Sequence, residues 1–295
     1  MRVRSRFLLW IGLAVVSAVA LGSCGKRETG PAMWHISDAD SDIYLFGTFH
    51  LLPAKLDWQK PAMVAAFDQS AILIMEADVA DAAPGDVVKL IQQYGIAPPD
   101  KPLRSRLTPD QVRQYEAVAK SLGLGPNDLD PYQPWYASQV LTLKYMQTRG
   151  LKASQGAEEK LVKAAENENK PRAYLETIEQ QIQFLAGLPE QTQTEMFVAT
   201  LKEVGTSDKL LADMQTAWEK GDTKAMATLL DPSIKEVPDL YQVLIVQRNK
   251  RWADEIQKLL AGSGKIFIAV GAGHLVGNDS VVALLRARGI KVEGP

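Results

Sequence analysis

The feature that most constrains this chain is the stretch Ile266-Phe267-Ile268-Ala269-Val270 followed by Gly271-Ala272-Gly273-His274. Five apolar residues without a charge, rich in β-branched side chains and stopped by glycine, read as a strand buried on both faces. Such strands belong to the interior of parallel sheets covered by helices. The small residues that follow let the backbone turn sharply and leave room at the strand end. Ligands of open α/β sheets bind outside the carboxyl ends of the strands, so a histidine at this point is placed for chemistry. The pattern occurs twice. Ile43-Tyr44-Leu45-Phe46 runs into Gly47-Thr48-Phe49-His50, and two of the three histidines in the chain therefore close a strand in Gly-x-x-His.

The elements around these two strands follow from local signals. Met33–Ile36 and Ile43–Phe46, joined by the polar Ser37–Asp42, form a hairpin. Pro61 opens a helix through Gln69, and Ala71–Met75 is a second buried strand, ending on Glu76-Ala77-Asp78. Strand, helix and strand in this order read as a βαβ unit. From about 83 to 262 the chain reads as mainly helical. Thr108-Pro109-Asp110-Gln111 has the form of a capping box. Lys170–Leu175 reads as a short strand before a helix through Leu185, and Pro238 opens a long helix carrying Val243, Val246, Trp252, Ile256 and Leu259. A helix over about 280–288 and a strand at Ile290–Val292 finish the chain. The expected fold is α/β (α+β), a central mixed sheet built from both chain ends with a large helical insertion, about 83–262, packed over the strand ends.

The N-terminus is a separate matter. Arg2, Arg4 and Arg6 precede an apolar stretch, Phe7–Leu21, and Leu21-Gly22-Ser23-Cys24 follows. This is the pattern of a secretory signal, residues 1–23, and its ending resembles a bacterial lipoprotein box in which Cys24 becomes the lipidated first residue; the alternative is a plain signal peptide or an N-terminal membrane anchor with an incidental cysteine. Residues 24–32 then form a tether, and 33–295 form the folded domain. Such a protein is lipid-anchored in the bacterial cell envelope, facing the periplasm. Gly25 after the cysteine resembles lipoproteins sorted to the outer membrane. Cys24 is the only cysteine, which excludes an internal disulfide and, once lipidated, a thiol nucleophile. Residues 1–23 contain three arginines and no acid, so their removal takes the formal charge from −2 to −5. Neither value suits a general nucleic-acid binder. No phosphate-binding Walker loop, dinucleotide fingerprint or Gly-x-Ser-x-Gly elbow is present.

If the strands ending on His50, Glu76 and His274 lie side by side and parallel, two imidazoles and a carboxylate meet at one sheet edge. That is a common set of protein ligands for a catalytic divalent metal. The bland alternative is a pair of hydrogen-bonded structural histidines and a glutamate capping the next helix.

The two Gly-x-x-His motifs near opposite chain ends, with an intervening strand ending in Glu76, resemble the TraB/PrgY/GumN family, which includes the animal Tiki proteins and is related to erythromycin-esterase-like proteins. Tyr174-Leu175-Glu176-Thr177 with Gln180 or Gln181, Arg248-Asn249 with Trp252, and Pro134-Trp135 resemble further family segments. The resemblance implies a metal-dependent hydrolase and, for the Tiki branch, a peptidase using manganese- or cobalt-type ions; zinc is a further candidate. A peptide or protein is then the expected substrate. The alternative on the same scaffold is a non-catalytic metal-, haem- or peptide-binding lipoprotein.

Roles follow as expectations. His50 and His274 bind the metal, and Glu76 is a third ligand or the base that takes the water proton. Arg248 clamps a substrate carboxylate or an oxyanion, or forms a surface or intrahelical salt bridge. Glu176 orients a ligand histidine, or is simply a helix N-terminal acid. Asp78 reads as a cap before a ligand. His35 reads as structural, Trp34, Trp135 and Trp252 as core, and Glu158-Glu159-Lys160 as a solvated helix face.

Overall fold

The computed structural model describes residues 30–50, 52–53, 56–78, 82–151, 155–204, 208–235 and 237–295. The signal segment 1–23, Cys24 and most of the tether lie outside the described residues. Among the described residues no helix is long and apolar enough to cross a membrane.

A six-stranded mixed sheet organises the domain. Its strands are β1 (Met33–Ser37), β2 (Ser41–Thr48), β3 (Ile72–Ala77), β4 (Arg172–Glu176), β5 (Gly264–Gly271) and β6 (Val292–Glu293), in spatial order β4-β3-β5-β2-β1-β6. The β1–β2 hairpin is antiparallel, with Met33 opposite Phe46 and Ser37 opposite Asp42. β6 adds antiparallel to β1. The remaining pairings are parallel: β5 lies beside β2 with Thr48 opposite Gly271, beside β3 with Met75 opposite Ala269, and β4 lies beside β3. The strand-helix-strand unit read from the sequence, β2, α1 (Pro61–Gln69) and β3, is parallel. Its two strands are not neighbours, however, because β5 from the other end of the chain lies between them.

The unbroken apolar run of β5 is explained by burial on both faces. Phe267 and Ala269 join Phe46, Leu73 and Met75 under α1, α5 (Ala157–Asn167), α8 (Asp208–Glu219) and α9 (Thr223–Lys235). Ile266, Ile268 and Val270 join Ile43, Leu45 and Ile74 under α11 (Gln247–Leu260) and α12 (Val281–Ala287). Period-two alternation thus feeds two separate cores on opposite faces of one sheet.

The segment 83–262 holds most of the helices and also β4, which pairs with β3 as an edge strand. Part of it has its own core, in which α3 (Pro109–Ser121), α4 (Pro134–Thr148) and α7 (Glu190–Val204) bury Tyr115, Leu141, Tyr145, Phe197 and Leu201. Both halves of the capping box at α3 form: Gln111 N donates to Thr108 Oγ1 at 3.3 Å, and Thr108 N donates to Gln111 Oε1 at 2.9 Å. Other parts of the segment reach the carboxyl ends of the central strands. Ala157 N, at the start of α5, donates to Phe49 O at 3.1 Å, and Trp218 Nε1 of α8 donates to Gly47 O at 2.7 Å.

His35 is held by Asp42 at 2.8 Å and stacks on Tyr44, as a structural residue should. Trp34, Trp135 and Trp252 are all buried. Asp78 accepts from Ile178 N at 2.7 Å and so caps the start of α6 (Ile178–Ala186).

Candidate active site

The three parallel strands β3, β5 and β2 end at one edge, and their polar residues meet around Gly271. A methyl group built on Gly271 would lie 3.1 Å from Glu76 Oε1, 3.7 Å from His274 Cδ2 and 3.8 Å from His50 Nε2. All three sequence-predicted residues therefore border one small space, kept open because residue 271 has no side chain. The histidines arrive from just beyond their strands: β2 ends at Thr48, and β5 passes at Gly271 into a single 3₁₀ turn, Ala272–His274. His50 approaches on the α5 side of the sheet, and Glu76 and His274 lie against α11.

Glu76 is fixed from two directions. Gly271 N donates to its Oε1 at 2.6 Å, and Arg248 Nη2 donates to its Oε2 at 2.8 Å. Burial pushes its carboxyl up, but the His274 ring, the Arg248 guanidinium and His50 outweigh this and hold it at about 2. His274 is itself neutral at pH 7, so the positive partners are Arg248 and the protonated His50.

Arg248 forms neither a surface nor an intrahelical salt bridge: it is 7% exposed and pairs with carboxylates from two strands. Its Nε donates to both oxygens of Glu176, at 3.1 and 3.0 Å, and Nη2 lies 2.8 Å from Glu176 Oε2. Nη1 reaches His274 Nε2 at 3.1 Å and Leu244 O at 3.3 Å. That carbonyl belongs to a π turn, Gln242–Val246, inserted between α10 (Pro238–Tyr241) and α11. A π turn widens the helix and shifts the side chains that follow. The guanidinium also covers the Trp252 ring, 4.6 Å from its centroid.

Glu176 does not orient a histidine, in contrast to the expectation. It accepts from Arg248, from Trp252 Nε1 at 3.1 Å and from Arg251 Nη2 at 3.3 Å, so it orients the arginine that in turn meets Glu76 and His274. Gln181 Nε2 stands between the two carboxylates, 3.4 Å from Glu76 Oε2 and 3.5 Å from Glu176 Oε2. A cleft of about 530 Å³ opens against the outer side of Glu176, bordered by Phe184, Arg251 and Lys258.

His50 and His274 differ in surroundings. The His50 side chain is 70% exposed, and its Nδ1 lies 2.8 Å from Glu158 Oε1. Glu158 drives the imidazole pKa up to about 9, with help from Glu76. The solvated-face reading of Glu158-Glu159-Lys160 is thus overturned for Glu158, whose two carboxylate oxygens are shut off from solvent beside Thr48. His274 is buried; burial lowers its pKa to about 4 against the pull of Glu76. Its ring packs on Trp252, with centroids 4.4 Å apart, and its Nδ1 lies 2.7 Å from Asn249 Oδ1.

Glu158, Asn249 and Gln181 are residues to which the reading of the sequence assigns no role in the site; Asn249 and Gln181 enter there only as parts of family-like segments. Asn249 had a signal. Arg248, Asn249, Trp252, Ala253 and Ile256 form the buried stripe of α11 at helical spacing, so an inward polar residue was legible there. Glu158 had none, because nothing local links the first turn of α5 to a loop 108 residues earlier.

His50, His274 and Glu76 are the residues that could hold a cation. His50 and His274 offer Nε2, and Glu76 offers Oε1, 4.0 Å from His274 Nε2. The donor types suit a divalent ion. Among the described residues, though, no three His, Cys, Asp or Glu side chains are already gathered into a metal site. Arg248 supplies the positive charge between Glu76 and His274 instead.

Residues 32–294 match the model of the TraB/PrgY/gumN family. Two relatives, each called "Uncharacterized protein YbaP", come from Escherichia coli (strain K12) and Shigella flexneri. Both are 26% identical over 262 residues, covering 89% of this chain and 94% of theirs. No solved structure matches the chain. With nearly the whole folded domain inside the family match, the chain belongs to the TraB/PrgY/gumN family.

Proposed function

We propose that this protein is a metal-dependent hydrolase of peptidase type, tethered to the bacterial cell envelope by a lipid on Cys24. The observation that carries the reading is the meeting of His50, Glu76 and His274 within 4 Å of one point beside Gly271. A divalent ion, of manganese, cobalt or zinc type, would be held by His50, Glu76 and His274, and would supply a water made acidic enough to ionise near neutral pH together with polarisation of the scissile carbonyl.

The chain's own residues have distinct tasks. Glu76, kept ionised far below neutral pH, serves as an anionic ligand; so low a proton affinity is ill suited to a general base. Arg248 keeps Glu76 charged and in place, and Glu176 keeps Arg248 in place. His274 would offer an unprotonated Nε2, which an ion would have to take over from Arg248 Nη1 at 3.1 Å. His50 carries a proton at neutral pH and must give it up to bind an ion, so ion binding releases that proton. Glu158 remains behind it as the counter-charge. The cleft beside Glu176 offers room for a substrate chain.

The test uses the protein from residue 24 onward, stripped with chelator and resupplied separately with manganese, cobalt and zinc, then incubated with a mixed peptide library read by mass spectrometry. Cleavage restored by an ion and abolished in His50→Ala and Glu76→Gln is the expected result. Tight metal binding without cleavage would turn the reading to a non-catalytic metal-, haem- or peptide-binding protein. Unchanged metal content in His50→Ala and His274→Ala would remove the site assignment. For the anchor, Cys24→Ala should move the protein from the membrane to the soluble fraction.

A further inference from the structure

Asn249 is fully buried in a helix and uses both ends of its amide. Nδ2 lies 2.7 Å from Asp279 O, and Oδ1 lies 2.7 Å from His274 Nδ1. A backbone carbonyl only accepts, so the nitrogen end must face Asp279 and the oxygen end must face the histidine. An amide oxygen also only accepts, so the proton of His274 sits on Nδ1. The opposite side of the ring gives the same answer independently. Arg248 Nη1 is 3.1 Å from Nε2, and a guanidinium only donates, so Nε2 is bare. The tautomer is thus assigned by the network, from two neighbours on opposite sides of the ring that agree.

We propose that Asn249, aligned by the Asp279 carbonyl, is the positioning residue that locks His274 as the Nδ1–H tautomer and presents a bare Nε2 to the Glu76 side of the site. The lock ties three elements together. Asn249 and Arg248 are consecutive on α11, so the same helix fixes both ring nitrogens. Asp279 immediately precedes Ser280, the N-cap of α12, whose hydroxyl accepts from Ala283 N at 3.1 Å. The carbonyl that orients Asn249 is therefore itself anchored at a helix start. Either partner alone leaves the ring an alternative. Without Asn249, Nδ1–H would lose its acceptor, and only the Arg248 contact at Nε2 would still disfavour the Nε2–H form.

The proposal gives the hydrolase reading its bare nitrogen, but it is judged by a measurement that does not depend on activity. The chain has three histidines, so ¹⁵N-histidine labelling gives a spectrum that His35→Gln and His50→Gln suffice to assign. Two-bond ¹H–¹⁵N correlation at pH 7 should show His274 with a protonated Nδ1 and an unprotonated Nε2. A protonated Nε2 would overturn the proposal, and this holds for the wild-type chain whatever the variants do. Asn249→Leu, with Asn249→Ala as a smaller substitute should the first not fold, should lose the single tautomer. Retention of an unchanged His274 pattern in a folded variant would also overturn it. Titration with manganese alone is the second readout: outer partners of this kind are worth about 10–100-fold in metal affinity, and Asn249→Leu should weaken binding by about that factor. Equal affinity in a folded Asn249→Leu protein would count against the lock. A wild-type chain that binds no ion would instead defeat the metal reading and leave the tautomer to the spectrum.

Discussion

Replacement of Arg248 by methionine tests the charge logic of the site most directly. Arg248 is buried and is the cation shared by Glu76 and Glu176, whose side chains are 16% and 3% exposed. Methionine keeps much of the apolar stem but leaves two carboxylates without it. Breaking a buried ion pair by removing one partner costs about 3–5 kcal/mol. Holding Glu76 at about 2 instead of 4.5 is a preference of about 3 kcal/mol for the ionised form, shared among His274, Arg248, His50 and the Gly271 N–H, so it is an upper bound on the arginine's part through Glu76. For a domain of this size each kcal/mol is worth about 2–4 °C in Tm, so the variant should melt roughly 6–20 °C lower at pH 7. The pH dependence carries the sign. In the wild type, the Glu76 contribution is present above 4.5 and fades as pH falls towards 2. In Arg248→Met that contribution is smaller, because the guanidinium no longer helps His274 and His50 to offset burial. Its deficit should therefore shrink between about pH 7 and pH 3, and Glu76→Gln should restore part of the loss. Thermal melts followed by circular dichroism at both pH values settle the matter. A drop of under about 2 °C at pH 7, or an equal drop at both pH values, would refute the argument that Arg248 acts by neutralising buried carboxylates.

Three further outcomes follow from the same geometry. Gly271 has φ −50° and ψ 132°, which alanine also adopts, so Gly271→Ala should shift Tm by no more than about 2–4 °C, the equivalent of about 1 kcal/mol, yet abolish ion binding by filling the shared space; intact binding would contradict the placement of the site. Glu158→Gln removes the charge behind His50, and the His50 pKa followed by NMR should fall from about 9 towards 6.5, whereas an unchanged titration would show that the pair does not form in solution. The depressed His274 pKa makes its contribution fully present above 6.5 and progressively lost as pH falls to about 4. Stability measured by denaturant titration should decline over that window in the wild type and more weakly in His274→Gln.

The sequence by itself determined a good deal. The apolar run of β5 required a strand covered on both faces, the Gly-x-x-His endings marked where its functional edge would be, and proline and capping signals at Pro61, Thr108 and Pro238 set where helices begin. These are local effects, set by backbone sterics and by short-range hydrogen bonds, and they survive in any tertiary context. Only the tertiary structure decided that β5 lies between β2 and β3, which brings positions 50, 76 and 274 to one point. Only it decided that Arg248 faces two buried glutamates instead of solvent, that Glu176 serves the arginine and not a histidine, and that Glu158 stands behind His50. The reason is physical: a charged side chain's role depends on which opposite charges share its low-dielectric surroundings, and that is fixed by residues 70 to 200 positions away in the chain, about which local sequence carries no signal.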